Sequence, residues 1–532
     1  MDNQKSLLER FEQLNAIGAS LSSERNIDRL LENILLAAKA ITHADGGTLY
    51  RMSEDQLCLR FAIVRTDSLG IAFGGTTGQP IPAHFRDLPL NRDDGAENNS
   101  LVAAYSAVHG QTVNIADAYT EAGFDFSGTR KFDEATGYRS KSFLTVPMKN
   151  HEHEIIGVLQ LINAVDQATG AVREFSLADQ QLAESLASQA SVALTNRLLV
   201  NQLEVLFESF VNLISLAIDE KSPYTGGHCQ RVPALTMMLA DAVAAEQEGP
   251  FADFMLSERD RYELKIASML HDCGKVTTPV HVVDKATKLE TIFDRIQLID
   301  LRFELVRRDA ELVCWKAVAG GVERHQAEAE YQAQCLRIDE DRRFIRHINI
   351  GGEAMKPEDM ARVRDISKRY AWVNPQGDRV DFLSDNEIEN LSIRAGTLTQ
   401  EEREIINHHV VATIRMLESL PWPKHLRHVS EYAGGHHERM DGKGYPKGLR
   451  REEMSVQARI MGIADIFEAL TARDRPYKPA MKITMALRVL ENMAAGGHID
   501  RDLFDVFIRE KVYLKYAQQF LADEVGEEGI VA

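Results

Sequence analysis

The sequence predicts a multidomain protein in which an α+β domain is joined by a long helix to an all-α domain. Short apolar segments separated by turn residues, between Gly46 and Asn163, predict strands of one sheet. One long run with helical periodicity follows from Leu177 to about Ile218, and only helical patterns follow Ser222. The chain has 532 residues, which is enough for about three to four domains.

The composition excludes several classes of protein. Lys plus Arg number 61 and Asp plus Glu number 80, which gives a net charge of −19, so we expect no DNA partner. The five cysteines are widely spaced and form no CxxC pair, which argues against a disulfide framework or a zinc-thiolate site. The N-terminal segment is charged where a signal peptide is apolar, and no run of about 18 apolar residues occurs. We therefore expect a cytoplasmic protein with no membrane span.

The first half begins with amphipathic helical patterns and continues with strand patterns. Apolar residues recur at spacings of three and four between residues 5 and 42, which predicts two helices. The strand-like segments are GTLYRM, LCLRFAIV, QTVNI, SFLTVPM and IIGVLQLIN. Between them, residues 74–100 are rich in Gly, Pro, Asn and Asp and are predicted to cover one face of the sheet as loops. A small ligand could bind beneath these loops.

The run from Leu177 to about Ile218 is longer than one domain requires. A helix of this kind usually joins two domains and often pairs with its counterpart in a dimer, so we expect a homodimer through it. The alternative is two ordinary helices, each packed on its own domain.

The second half is predicted to consist of helices. Their approximate ranges are 232–245, 257–270, 291–317, 400–420, 454–472, 483–494 and 503–522. Within this half, residues 290–395 are rich in Arg and Glu and are interpreted as an insertion outside the core. Residues 523–532 are predicted to be a frayed acidic tail.

Histidines are concentrated at a few positions in this helical half. Six of the 17 lie in or beside predicted helices, mostly next to a carboxylate or another histidine: His228, His271, His408, His409, His436 and His437. His271 and Asp272 end an apolar helix, where an imidazole and a carboxylate can hold one ion from two sides. Lys275 follows one turn later and is placed to meet a phosphate oxygen. The remaining histidines are interpreted as ordinary core or surface residues.

Two further segments carry candidate ligands. Adjacent histidines on a helix diverge, so His436 and His437 are predicted to serve two different ions. Glycines and Pro446 then break the helix into a rigid loop with Tyr445 at its tip. Asp465 lies among apolar residues of a helix, where a carboxylate must be paired or metal-bound because burying it alone is costly.

Imidazole and carboxylate ligands without thiolates favour iron or manganese, with zinc as a further candidate. Cys273 is expected to point elsewhere on its helix. Two such ions can share a hydroxide made at neutral pH and clamp a phosphoryl group during in-line attack. The residues therefore predict phosphoester hydrolysis.

The helical half resembles the HD-GYP subgroup of the HD phosphohydrolase superfamily over most of residues 215–520. The resemblance is carried by Tyr224-Thr225-Gly226-Gly227-His228, His271-Asp272-Cys273-Gly274-Lys275, His436-His437-Glu438 through Gly444-Tyr445-Pro446, and Ile463-Ala464-Asp465 through Arg475-Pro476-Tyr477-Lys478. Members of this subgroup hydrolyse the bacterial second messenger cyclic di-GMP at an iron or manganese cluster, giving the linear dinucleotide or GMP.

The resemblance implies a ligand set and a set of substrate contacts. It assigns metal binding to His228, His271, Asp272, His409, His436, His437 and Asp465. Lys275 would hold the scissile phosphate beside Asp272, Arg475 and Lys478 would bind substrate phosphates, and Tyr445 would belong to the substrate-binding loop. His409 is preferred to His408 because the subgroup's histidine is followed eight residues later by Leu, here Leu417. Tyr224 replaces a Glu that some members use for a third ion, so two ions are expected rather than three.

The first half is similar to the GAF domains of cyclic-nucleotide phosphodiesterases over about residues 20–195. The similar segments are 114–119, 136–138, 142–148 and 156–163. The resemblance implies an antiparallel sheet with flanking helices. Ala164 and Gln180 depart from the cyclic-nucleotide signature of that group, so nucleotide binding and a role in dimerisation alone both stay open.

Together these observations predict an N-terminal helix (1–20), a sensory GAF domain (21–180), a connecting helix (181–220) and a phosphohydrolase domain (221–522). The predicted activity is metal-dependent hydrolysis of cyclic di-GMP under control of the GAF domain. Two alternatives are a cyclic di-GMP receptor with little turnover and a phosphodiesterase for another cyclic dinucleotide, such as cyclic GMP-AMP.

Overall fold

The computed structural model describes residues 14–221, 227–352, 354–374, 376–473 and 480–521. The chain divides into two units, Met1–Phe207 and Glu208–Ala532. Of the predicted N-terminal helix, residues 14–20 are described, and they belong to a helix whose described part is 14–23 (α1). The predicted acidic tail lies outside the described residues.

The first unit is built on an antiparallel sheet with the strand order β3-β2-β1-β7-β6-β5, to which β4 adds on β2 and β8 on β7. The strands are β1 (Ala44–Met52), β2 (Cys58–Thr66), β3 (Ile71–Gly74), β4 (Leu88–Pro89), β5 (Val113–Ile115), β6 (Phe143–Lys149), β7 (Ile155–Val165) and β8 (Val172–Arg173). The helices beside it are α2 (Ile27–Thr42), α3 (Val102–His109) and α4 (Ser127–Thr136). This confirms the predicted α+β fold, and the predicted strand segments are β1, β2, β5, β6 and β7.

Helices α2 and α5 (Leu177–Lys221) bury apolar side chains in one core with the central strands. Leu35 and Leu186 are fully buried in this core, and so is Leu159 of β7. Gly47 of β1 lies close to α2 and β7, because a Cβ atom there would lie 2.8 Å from Leu35 Cδ1 and 3.0 Å from the Gln160 carbonyl oxygen. The tight contact between α2 and the sheet therefore depends on the absence of a side chain at residue 47.

Helix α5 has 45 residues and is one continuous helix, not the two separate helices of the alternative interpretation. In its second half, several large apolar side chains are exposed: Leu203 is 63% exposed, Phe210 55% and Leu213 58%. By length and composition, α5 is also apolar enough to cross a membrane, which differs from the prediction of no such segment. The prediction missed it because two glutamates, Glu204 and Glu208, interrupt the apolar residues.

The second unit is mostly helical, as predicted. Its helices are α6 (His228–Ala244), α7 (Glu258–Leu270), α8 (Val280–Val283), α9 (Ile296–Ala319), α10 (Arg324–Asn349), α11 (Pro357–Arg369), α12 (Asp385–Leu391), α13 (Gln400–Glu418), α14 (Val429–Gly434), α15 (Val456–Thr471), α16 (Ile483–Ala495), α17 (Arg501–Arg509) and α18 (Val512–Phe520). The prediction of helices alone is wrong at one place, where β9 (Ala371–Val373) pairs with β10 (Arg379–Asp381). These strands are too short to show a clear alternation, and the turn between them uses Gly377 with φ +90°.

The segment predicted as an insertion has a core of its own. Helices α9, α10, α11 and α12 surround Phe303, Ile338 and Phe382, which are at most 1% exposed. The rings of Phe303 and Phe382 lie 4.5 Å apart between centroids. The high charge of this segment describes its surface. Its apolar residues are sufficient to form a packed interior.

Replacement of Phe382 by alanine should destabilise this core by about 3–5 kcal/mol, because it removes a buried aromatic side chain and leaves a cavity. Hydrogen exchange in peptides from α9 to α12, measured at rising urea concentration, reports the local stability. Leu336→Ala is the matched control, because Leu336 in α10 is 65% exposed. Equal exchange in the two variants would contradict the assignment of this core.

Candidate metal centre

The centre begins where α7 ends. A capping box formed by Ser257 and Asp260 starts this helix, which ends at Leu270. His271 and Asp272 follow at once, 0% and 2% exposed, and lead into a 3₁₀ turn, Cys273–Thr277. The end of the helix therefore leaves an imidazole and a carboxylate buried side by side.

A close backbone contact brings α13 to this turn. A Cβ atom on Gly274 would lie 1.9 Å from the carbonyl oxygen of His409, so only glycine fits. The Gly274 N–H donates to Thr413 Oγ1 at 2.9 Å, and the Thr413 hydroxyl donates to the His271 carbonyl at 3.1 Å. These bonds fix His409 beside Asp272.

The candidate ligands form two groups. His228, His271 and Asp272 form one, and His409, His436 and His437 form the other; within each group the ligand atoms lie within 4.8 Å of one another.

The Asp272 carboxylate lies between these groups. Its Oδ1 is 3.3 Å from His409 Nε2, and its Oδ2 is 3.4 Å from His228 Nε2 and 3.3 Å from His271 Nε2. Asp465, on α15, places Oδ1 3.3 Å from His228 Nε2 and 3.7 Å from His271 Nε2. One carboxylate can therefore bridge two cations, with Asp465 completing the first group.

The backbone fixes which ring nitrogen of each histidine faces the centre. His271, His409 and His436 each donate from Nδ1 to the carbonyl three residues earlier, at 2.8, 2.5 and 2.6 Å. This leaves a lone pair on each Nε2, the arrangement that a metal ligand needs.

The atoms that face the centre are buried and have no hydrogen-bond partner among the described residues: Nε2 of His228, His271, His409 and His436, and Oδ1 of Asp272. Buried polar atoms are rarely left unsatisfied, because each one costs free energy. Their convergence on one place therefore indicates a cation site.

A third carboxylate, Glu468, contacts the other ring nitrogen of His228 and was not among the residues predicted from the sequence. Glu468 Oε2 lies 2.5 Å from His228 Nδ1, and its Oε1 accepts a hydrogen bond from Arg231 Nε at 2.7 Å. Glu468 is fully buried and follows Asp465 by three residues on the same face of α15. The sequence signal for Glu468 was its spacing of three residues from Asp465. This spacing places both carboxylates on the buried face of α15, where each needs a partner.

The loop after α14 corrects one prediction. The helix ends at Gly434, so His436 and His437 do not diverge on a helix, and both belong to the group that contains His409. Their ring centroids are 4.2 Å apart, and the ring of Tyr445 stacks on His437 at 4.9 Å. Glu438 closes this loop by accepting hydrogen bonds from two backbone N–H groups, of Lys447 and Leu449.

The charges of the centre suit a cation. Burial favours a neutral Asp272, but Lys275 and His271 outweigh it and hold the pKa of this carboxyl well below its usual value. Burial lowers the pKa of His271, yet the carboxylates of Asp272 and Asp465 outweigh burial and raise this pKa to about 9. Without a metal ion, a proton would therefore occupy Nε2 of His271 at neutral pH, and a bound cation would take its place. Burial lowers the pKa of His437 to about 4, which keeps this imidazole neutral at pH 7 and able to bind a metal.

The structure brings together seven of the predicted site residues: His228, His271, Asp272, His409, His436, His437 and Asp465. His408 instead lines a separate cavity with Thr277, Arg415 and Met416, so the geometry favours His409. Lys275 Nζ lies 2.6 Å from Asp272 Oδ2, at the partly exposed rim. Arg475 and Lys478, predicted to bind phosphates, and Tyr224 lie outside the described residues.

Cys273 is buried beside these residues. Burial raises the pKa of its thiol to about 11, so it stays protonated at neutral pH. The two groups of candidate ligands consist of imidazoles and a carboxylate and do not include Cys273.

Comparison with known families identifies both units. A GAF domain model matches residues 26–194, and two HD domain models match residues 225–361 and 363–503. The chain thus contains a GAF domain followed by HD-domain sequence, and the centre described above lies in the HD part.

Several relatives match parts of the chain. A 3'3'-cGAMP-specific phosphodiesterase 1 from Vibrio cholerae is 38% identical over 19% of this chain and 22% of its own. A 3'3'-cGAMP-specific phosphodiesterase 3 from the same organism is 26% identical over 60% of this chain and 40% of its own. A cyclic di-GMP phosphodiesterase from Thermotoga maritima is 33% identical over 23% of this chain and 36% of its own. The chain therefore spans well under half the length of each of these relatives.

Among solved structures, the GAF domain of an Acinetobacter phosphoenolpyruvate-protein phosphotransferase is 15% identical, with a TM-score of 0.27. The match covers 36% of this chain and 98% of that one.

Replacement of His409 by alanine should lower the amount of metal that co-purifies with the protein, because its Nε2 is one of the converging ligand atoms. His408→Ala is a matched control, since the two residues are neighbours on α13 and His408 faces another cavity. Metal content measured by mass spectrometry should fall by about one ion per chain in the first variant alone. Equal metal content in the two variants would contradict the ligand assignment.

Replacement of Glu468 by glutamine should weaken Mn²⁺ binding by about 10–100-fold, because it removes the carboxylate that orients His228. Isothermal titration of the metal-free protein measures this change. Glu491→Gln on the neighbouring helix α16 serves as the control. An unchanged affinity in the Glu468 variant would show that the carboxylate does not tune the site.

Proposed function

We propose that this chain is a metal-dependent phosphodiesterase of the HD-GYP type that hydrolyses cyclic di-GMP to the linear dinucleotide, GMP or both. One observation carries the proposal: the buried Asp272 carboxylate separates two groups of imidazoles while Lys275 stands at the open rim. This arrangement suits two divalent ions and a phosphate beside them. The names of the relatives from Vibrio cholerae and Thermotoga maritima support the same reaction class.

Two divalent ions, iron or manganese for this ligand set, would supply a hydroxide at neutral pH and positive charge for the phosphoryl group. The protein's own part is to hold that geometry. Asp272 spans both groups, Asp465 completes the first, and Glu468 keeps the His228 ring in place through its Nδ1.

Side chains at the rim would bind the substrate and shield the centre. Lys275 presents an ammonium to a phosphate oxygen, a charge-assisted contact that strengthens as negative charge develops. Tyr445, stacked on His437, shields the second group from solvent. Arg475 and Lys478 are proposed to bind the remaining phosphates.

A second candidate substrate is another cyclic dinucleotide, such as cyclic GMP-AMP, because two of the relatives are named as specific for 3'3'-cGAMP. The third candidate function, a receptor with little turnover, is weaker. A receptor has no need of two ligand groups that share one carboxylate.

The GAF domain is proposed to bind a regulatory ligand. A cavity of about 420 Å³ lies in this unit, and aromatic side chains line it, including Tyr50, Phe61, Phe126 and Phe143. Its lining contains no Lys or Arg among the residues that the structure describes, and the Asp125 carboxylate already accepts the Ser127 N–H at the start of α4. An uncharged aromatic ligand therefore suits this cavity better than a phosphate-bearing nucleotide.

We further propose that the chain forms a cytoplasmic homodimer through α5. The exposed side chains of Val192, Leu199, Leu203, Leu206, Phe210 and Leu213 follow heptad spacing. Asn196 occupies the remaining core position of this pattern, where a polar residue favours a parallel, in-register pair.

Turnover of cyclic di-GMP and 3'3'-cGAMP by manganese-loaded protein tests the proposed activity. Asp272→Asn should reduce kcat at least about a hundredfold, because the shared carboxylate loses its charge. Asp253→Asn, at an exposed position, is the control. Product formation from cyclic GMP-AMP alone would select the second candidate substrate, and tight binding without product from either would favour the receptor.

A further inference from the structure

The C-terminal end of α5 contacts the two segments that carry the first group of metal ligands. Ser215 Oγ donates to the Met269 carbonyl at 2.9 Å, two residues before His271. Asp219 Oδ2 accepts the Gly227 N–H at 3.1 Å, directly before His228. Both contacts lie within the second unit. One helix end therefore holds the backbone beside both histidines.

Lys221, the last residue of α5, makes the most extensive of these contacts. Its Nζ donates to three backbone carbonyls, at 2.9 Å to Lys275, 2.5 Å to Val276 and 2.6 Å to Thr278. An ammonium has three N–H donors, so these carbonyls use all of them.

These carbonyls lie at the end of the 3₁₀ turn that follows Asp272. Carbonyl groups at a helix end lack partners within the helix, and a cation there also interacts favourably with the helix dipole. Lys221, which belongs to a different helix, thus acts as a C-terminal cap of this turn. Because Lys275 belongs to this turn, its backbone position depends on the end of α5.

We propose that Lys221, assisted by Ser215 and Asp219, is a positioning residue through which α5 sets the geometry of His228, Asp272 and Lys275. The proposal rests on the proposed function of this centre and adds its regulation. A rotation or axial shift of α5 would move the backbone on both sides of the His271–Lys275 segment. A signal that favours one of two arrangements of α5 would therefore change the reaction rate without contacting the substrate.

Lys221→Met tests the proposal in the full-length protein, because it keeps an unbranched side chain one atom shorter and removes all three donors. Glu220→Gln is the matched control, since Glu220 is the exposed neighbour on the same helix. Lys221→Arg retains donors and charge and should restore part of the function.

In Lys221→Met we expect amides of residues 271–279 to exchange about tenfold faster with deuterium, because hydrogen bonds from a charged group are lost. We expect kcat to fall about tenfold while the thermal unfolding midpoint and the metal content stay at the wild-type values. Glu220→Gln should match the wild type in every measurement.

Wild-type exchange in residues 271–279 together with wild-type kcat in Lys221→Met would overturn the proposal. A fall in kcat that only follows a lower unfolding midpoint would overturn it too, because it would show a purely structural role. If the wild type turns over no cyclic dinucleotide, the proposed function fails separately. In that case, deuterium exchange in residues 271–279 and the Mn²⁺ affinity of Lys221→Met test the positioning role. Wild-type values of both in this variant would overturn it.

Discussion

The second unit depends on one buried carboxylate. Asp272 is 2% exposed, lies between imidazoles from α6, α7 and α13, and is 2.6 Å from the ammonium of Lys275. A charge in this position is costly unless partners surround it, so the helices that supply those partners must meet here. The contact between Gly274 and α13, the carbonyl partners of the histidines and the Glu468 carboxylate all serve this requirement.

The same contacts determine which atom of each side chain faces the centre. Each imidazole that donates from Nδ1 to the backbone turns its Nε2 toward the centre, and each carboxylate oxygen of Asp272 faces a different group. Local helix geometry therefore selects the tautomers, and packing between distant segments sets the distances. The end of α5 joins this network through Ser215, Asp219 and Lys221, which contact the backbone beside His271, His228 and Lys275.

Much of this could be predicted from the sequence because it depends on local patterns. The apolar spacing of α5 and α13 predicts helices, and the helix ending at His271 predicts an imidazole next to a carboxylate. The orientation of His436 and His437 could not be predicted, since it depends on α14 ending at Gly434. Glu468 was missed because its role appears only when α15 meets α6, and the β9–β10 hairpin because its strands have three residues each.

The most direct test of the central claim is anomalous diffraction from crystals of the manganese-loaded protein. We expect two manganese peaks, with the Asp272 carboxylate between them and His228 and His409 on opposite sides. A single peak, or peaks away from Asp272, would contradict it.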